Sequence, residues 1–202
     1  LTIASGTALI PMVLFADDLL GIIYRPGYAA GGLALAILAV GYAVKNVLLT
    51  HGPLLEALGL SKLSAFNTSA AAVVNLGLNL LLIPRYSYTG AALATTVSFL
   101  VLGLLPALEV RYYSGRTAIG WKVISPLFVL VPWGLLAYLV APALPTTLYW
   151  IVGFGALFAA GYCVSVLVVV GLTPTEAMVI DSVQDKYDID SRVLSYVVRR
   201  FS

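Results

Sequence analysis

VISPLFVLVPWGLLAYLVAPALPTTLYWIVGFGALFAAGYCVSVLVVVGLTPT, residues 123–175, contains no Asp, Glu, Lys or Arg. A helix needs about 20 apolar residues to cross a bilayer core, so this run holds two crossings. The same reading extends outward. Residues 86–108, 63–84 and 26–44 are also free of charge. Of 202 residues 61% are apolar and 10% charged, with mean hydropathy +1.01. A soluble domain carries about 25% charged residues. This chain cannot cover a water-facing surface with polar groups, and a disordered chain or a secreted disulfide scaffold is excluded for the same reason. Its solvent is lipid.

In hydrocarbon every backbone polar group must be satisfied within the segment, and these runs are too continuous for barrel strands. The expectation is an all-α integral membrane protein with six transmembrane helices over residues 1–173. The first runs from Leu1 to about Phe15 and includes Pro11. A short interfacial helix follows from Ala16, capped by a carboxylate of Asp17 or Asp18, and ends near Arg25-Pro26-Gly27. The second span runs from Gly31 to Leu58, kinked at Pro53 and closed by Gly59. The third runs from Ser61 to Ile83-Pro84, the fourth from Thr89-Gly90 to Leu108, the fifth from Trp121 to Val140, the sixth from Thr147 to Leu172.

Residues 174–202 form an amphipathic tail. Thr173-Pro174-Thr175-Glu176 is a capping box with proline at the first helical position, and nine charged side chains follow from Glu176 to Arg200. The tail is expected on the membrane surface or in water. With six spans, Lys62, Arg111, Arg116, Lys122, Lys186, Arg192, Arg199 and Arg200 share one side, and Arg25 and Arg85 the other. The positive-inside rule makes the first side, with the C-terminus, cytoplasmic, and the protein a multi-pass protein of the cell membrane. Trp121 at one interface and Tyr149-Trp150 at the other fit an aromatic belt. Because the chain opens on apolar Leu1 without a basic n-region, a signal peptide is not expected, and the numbering is expected to start inside a longer protein.

Little in the sequence points to catalysis. One His, one Cys and scattered carboxylates give no metal-ligand spacing, and neither a phosphate-binding loop, a dinucleotide fingerprint nor a nucleophile elbow is present. A net charge of +2 does not imply nucleic acid. No cofactor, metal or enzyme activity is expected.

Lys45 is the one charge deep in a span, near the middle of the bilayer. An ammonium there must face a partner, a cavity or water. At 100° per residue Ala34, Gly41, Gly52 and Glu56 share its face, a small and polar stripe that suits the wall of a water-filled cavity. Lys45 then attracts an anionic group such as a phosphate. The alternative is a buried pair with a carboxylate elsewhere. Glu56 reads as a carboxylate at the cavity mouth or as a solvated helix end. His51 points away from Lys45 and reads as a packing residue. Asn67, Asn75 and Asn79, with Ser64 and Thr68, share a face of span three; they either bond across helices or meet sugar hydroxyls or ions along the cavity. The Ala91/Thr95 and Ala92/Thr96 pairs of span four are small residues for close helix packing.

Three blocks together are more specific. They are Leu58-Gly59-Leu60-Ser61-Lys62, then Asn75-Leu76-Gly77-Leu78-Asn79-Leu80-Leu81-Leu82-Ile83-Pro84-Arg85-Tyr86, then Thr89-Gly90-Ala91-Ala92-Leu93-Ala94-Thr95. With Ile22-Ile23-Tyr24-Arg25-Pro26-Gly27-Tyr28 before them, the chain resembles, over about residues 15–115, the polysaccharide-transporter, O-antigen flippase type of the multidrug/oligosaccharidyl-lipid/polysaccharide exporter superfamily. It departs at Tyr86-Ser87-Tyr88, where that family usually has glycine after the tyrosine. The resemblance implies a transporter of about fourteen helices in two lobes, of which this chain supplies the C-terminal lobe plus two trailing helices, the N-terminal lobe being missing. It implies a flippase that moves a polyprenyl-diphosphate-linked oligosaccharide by alternating access through a cationic cavity, with membrane lipids as its other partners. A multidrug or cation antiporter of the same superfamily is the alternative. That alternative requires a coupling carboxylate in the membrane, and spans three to six, as bounded here, contain none.

Overall fold

The computed structural model describes residues 2–48, 51–115 and 120–171. The amphipathic tail expected over 174–202, its capping box and Arg116 lie outside the described residues. Those that are described form helices and short connections: α1 (Thr2–Leu14), α2 (Ala16–Ile23), a 3-10 turn (Pro26–Gly31), α3 (Gly32–Leu48), α4 (His51–Ala57), α5 (Ser61–Ser114), α6 (Trp121–Val140), a second 3-10 turn (Ala141–Ala143) and α7 (Leu148–Val170). Among the described residues four helical stretches are long and apolar enough to cross a membrane, and the bent pair α1/α2 makes a fifth if counted as one.

α2 leaves α1 at 79°. Its cap differs from expectation. The N-cap residue is Phe15 and no side chain caps the end. Asp17 is instead packed against Gly32 at the start of α3, so closely that a β-carbon on Gly32 has no room. There its charge meets the positive end of the α3 dipole.

Gly59 closes α4 as expected. At φ 76° it lets Leu60 N–H reach Leu55 O (2.9 Å) while its own N–H bonds Glu56 O (2.9 Å), the two bonds of a Schellman motif.

α5 is not one rod. Ser87 (φ 49°, ψ −130°) reverses the chain and makes a hairpin of arms 61–86 and 88–114. Two observations establish this. Asn67 bonds Glu109 across the arms, and a β-carbon on Gly90 would lie 2.4 Å from Leu82 O. On a straight helix residues eight apart are about 12 Å apart. The break between spans three and four is thus at a single residue, Ser87, rather than over 84–89. The second arm also outruns its expected end at Leu108. It continues to Ser114, where Gly115 (φ 65°) closes it, and so takes Glu109 into the hairpin.

α3 lies parallel to the second arm. Tyr88 Oη donates to Ala30 O (2.9 Å), Thr96 Oγ1 to Ile37 O (3.2 Å), and Gly103 meets Leu48. α1 bridges this group to α6 and α7. The α6/α7 core is aromatic. Phe158 stacks on Tyr162 at 6.2 Å, and Trp133 meets Phe158 edge-on at 5.7 Å. The indole N–H of Trp133 donates to Ser165 Oγ (3.0 Å), and the buried Tyr162 hydroxyl donates to Pro126 O (2.9 Å). Elsewhere large apolar side chains face outward. Phe66, Val73, Leu76 and Leu80 line one stripe of the first hairpin arm, each more than 60% exposed, as a surface wetted by lipid or covered by another helical unit requires.

Candidate functional site

Lys45 sits in the last turn of α3, half-buried. Its Nζ lies 4.6 Å from the centre of the Phe99 ring and 5.4 Å from that of Tyr42. The two rings meet edge to face at 5.0 Å, forming a corner for the ammonium. A cation over an aromatic face is held by the ring quadrupole, worth about 0.5–2 kcal/mol depending on hydration. Unlike a carboxylate, an aromatic corner leaves the positive charge uncancelled. The hydrophobic stem packs while the N–H donors stay open to an incoming acceptor.

The rest of the expected cavity face is different. Ala34 and Gly41 are buried, and Gly41 lies against Thr96 of the hairpin. At Gly41 the small residue admits a neighbouring helix, not water, whereas a β-carbon on Gly52 would meet nothing within 4 Å. The region around Lys45 and Gly52 keeps the character of an open wall. Glu56 is exposed and accepts the Ser64 hydroxyl at 3.2 Å, beside the α4–α5 turn. His51 is a packing residue as read from sequence: it is 1% exposed, with Nδ1 2.9 Å from Leu48 O.

The three asparagines are not equivalent. Asn67 is 1% exposed and is turned into the hairpin, where its Nδ2 donates to Glu109 Oε2. Asn75 and Asn79 are half-buried one turn apart, with Asn79 Nδ2 donating to Asn75 Oδ1 (2.9 Å). The pairings of Leu82 with Gly90 and of Asn67 with Glu109 set the register of the arms, and it puts Asn75 at the height of Phe99 and therefore of Lys45. Asn75 and Asn79 thus share the level of the cation, and Asn67 lies well below it.

Phe99 and Tyr42 were missed in the sequence, although Tyr42, three residues before Lys45, is its neighbour on the helix. Phe99 is 54 positions away and reaches the site only because the hairpin runs parallel to α3. Among the described residues no three His, Cys, Asp or Glu side chains come together as a metal site.

Over 124 residues the chain is 31% identical to a Haloferax volcanii protein named "Probable low-salt glycan biosynthesis flippase Agl15". That match takes in 58% of this chain and 26% of the relative, so the chain spans about a quarter of the length of the protein it matches. No protein-family model and no solved structure matches it. The matched protein is a transporter by name.

Proposed function

We propose that this chain is the C-terminal part of a lipid-linked oligosaccharide flippase and acts in transport, not catalysis. The observation that carries this reading is the similarity to a glycan biosynthesis flippase. Lys45, held by Tyr42 and Phe99, is the cation such a path needs.

The physical problem is the headgroup. A polyprenyl-diphosphate glycan carries phosphate charge and many hydroxyls, and crossing hydrocarbon strips both of water at a cost of several kcal/mol for each unpaired group. A hydrated path removes most of that cost. In this proposal the path lies between the present helices and an N-terminal lobe of the same protein. Lys45 meets the diphosphate, and Asn75 and Asn79, at its level, meet the sugars. Glu56 borders the cytoplasmic mouth. Six crossings result when α1/α2 counts as one and each arm of α5 counts as one. The side bearing Lys62 and Arg111 is then cytoplasmic, the tail with it, and the protein lies in the cell membrane. Exchange between inward- and outward-open states is a population shift between two packings of the lobes. The rest of the fold assists: α1, which touches both helix groups, transmits movement between them.

The test is Lys45→Ala in the full-length protein at native expression. Surface glycan export is expected to be lost while the protein still inserts, and Lys45→Arg is expected to keep part of it. Normal export by Lys45→Ala overturns the role given to this residue.

A further inference from the structure

A cavity of about 470 Å³ lies between α6 and α7, away from Lys45 and the asparagines. Phe128, Pro132 and Leu136 of α6 and Val169 of α7 give it apolar walls. Trp133 bounds one side. Its ring lies where a β-carbon on Gly161 would go, and its N–H is tied to Ser165 Oγ at 3.0 Å. An indole held in this way keeps the two helices from closing over the space.

One lining residue does not suit an apolar slot. Ser125 is 1% exposed, and its hydroxyl has no hydrogen-bond partner. Ser69, Ser98, Ser114 and Ser165 each donate to the carbonyl four residues earlier, a common use of serine inside a helix. Ser125 makes no such bond. Buried polar atoms are nearly always paired, so an orphaned hydroxyl in the wall of a cavity calls for a partner on the occupant. Water does not fit, because an ordered water needs roughly two to four polar partners. The Ser165 hydroxyl and the Trp133 N–H, the other polar side-chain groups of the lining, are already bonded.

Depth narrows the choice of occupant. The apolar stretch of α6 that can cross a membrane is Ile124–Ala143, so Ser125 stands at the edge of the hydrocarbon. That is the level at which a glycerolipid carries the oxygens joining its chains to glycerol. Leu136, at the far end of the lining, is about 16 Å further along the helix, against about 15 Å for half of a bilayer core. The slot therefore has the length of one leaflet, with a polar contact at its interfacial end and hydrocarbon below. A second cavity, of about 380 Å³, shares Trp133 and Leu136 and continues toward Trp150. An isoprenoid chain could run through both, but below its phosphate it is hydrocarbon throughout and offers Ser125 nothing.

We propose that the cavity between α6 and α7 is a binding site for one glycerolipid of the leaflet at the Ser125 end. The Ser125 hydroxyl donates to an ester or ether oxygen at the glycerol level, and one chain of the lipid lies along Phe128, Pro132 and Trp133. The site requires only that these helices lie in a bilayer; it does not rest on the flippase reading.

The experiment is photolabelling of the full-length protein in detergent micelles, titrated with a phosphatidylcholine that carries a diazirine in mid-chain. Labelling of residues 128–133 is expected to saturate. Labelling of Leu139 and Val164, which face outward away from both cavities, is expected to rise linearly. Ser125→Ala is expected to raise the half-saturating lipid fraction about two- to tenfold, the worth of one hydrogen bond. Val169→Trp, made at an exposed position on the rim, is expected to fill the space and abolish the saturable label. Linear labelling of residues 128–133 overturns the site, and an unchanged titration in Ser125→Ala overturns the contact that defines it. Unlabelled phosphatidylcholine is expected to compete. A polyprenyl phosphate that competes equally well overturns the glycerolipid and gives the slot to an isoprenoid chain. None of these readings involves transport, so a failure here is distinguishable from normal glycan export by Lys45→Ala.

Discussion

Thr96 occupies the place where a side chain on Gly41 would go: a β-carbon there would come within 2.5 Å of Thr96 Oγ1 and 3.2 Å of its Cα. The same hydroxyl donates to Ile37 O at 3.2 Å, so it is not free to swing away. α3 and the second hairpin arm meet closely here, one helical turn before Lys45, as they do again where Gly103 meets Leu48. Gly41→Val is expected to push the helices apart and lower stability by about 1–3 kcal/mol, the usual range for overpacking. A thermal unfolding midpoint in detergent checks it. Export should fall with it, because Phe99 lies one turn beyond Thr96 on the arm that is displaced. A midpoint equal to wild type sinks this account of the contact.

Ser87 is the hinge of the hairpin and the one described residue other than glycine with positive φ. Its dihedrals, φ 49° and ψ −130°, are those of the first central position of a type II′ turn, where glycine is preferred because it has no β-carbon. Ser87→Gly is expected to raise stability by up to about 1 kcal/mol, with strain relief partly offset by the greater freedom of glycine in the unfolded chain. Ser87→Val should lower it by more. The pair of unfolding midpoints, one rising and one falling, is the test.

Much of the architecture was legible because hydropathy and helix length act locally. The boundaries of α6, the stop at Gly59 and the sharp turn into α2 follow from residues within a few positions of each. The hairpin break was legible only roughly. Pro84 and Gly90 mark a region of weak helix propensity, but Pro84 stays inside the helix and the reversal falls on Ser87, where the resembled family's glycine was the one hint and serine itself gives none. The face of Lys45 was misread in part. Small residues such as Ala34 and Gly41 suit a cavity wall and a helix contact equally well, and only the partner Thr96, 55 positions on, decides between them. Glu109 was missed because span four was ended at Leu108, where the charge-free run stops. The helix continues through two further turns that no local rule forbids.

Tyr162 is fully buried, and its hydroxyl ties α7 to the carbonyl of Pro126 on α6 at 2.9 Å. Tyr162→Phe removes the donor and leaves the ring in place against Phe158. The lost bond is worth about 0.5–1.5 kcal/mol, and that carbonyl can still take a backbone N–H of its own helix. A small drop in unfolding midpoint with export unchanged is the expected outcome. Tyr162→Ala is expected to cost about 3–5 kcal/mol in the manner of a large aromatic deletion, since it also empties the space between α1, α6 and α7. Equal effects from the two substitutions would mean that the hydroxyl, not the ring, organises this core.

Phe99 holds the Lys45 ammonium at 4.6 Å from its ring centre, nearer than Tyr42 at 5.4 Å, so it is the stronger of the two aromatic supports. Phe99→Leu keeps an apolar side chain of similar bulk in the helix contact but removes the quadrupole. If the ammonium is presented to an anionic headgroup, the loss of about 1 kcal/mol of cation–π attraction lets it sample other positions, and export should fall several-fold. Phe99→Trp, with a stronger face, should retain it. The comparison separates electrostatics from packing: both variants change shape, and only one removes the attraction. Measured export rates at matched protein levels are the readout. If Leu exports as well as Trp, the rings are packing partners for the lysine stem and the charge is not positioned by them.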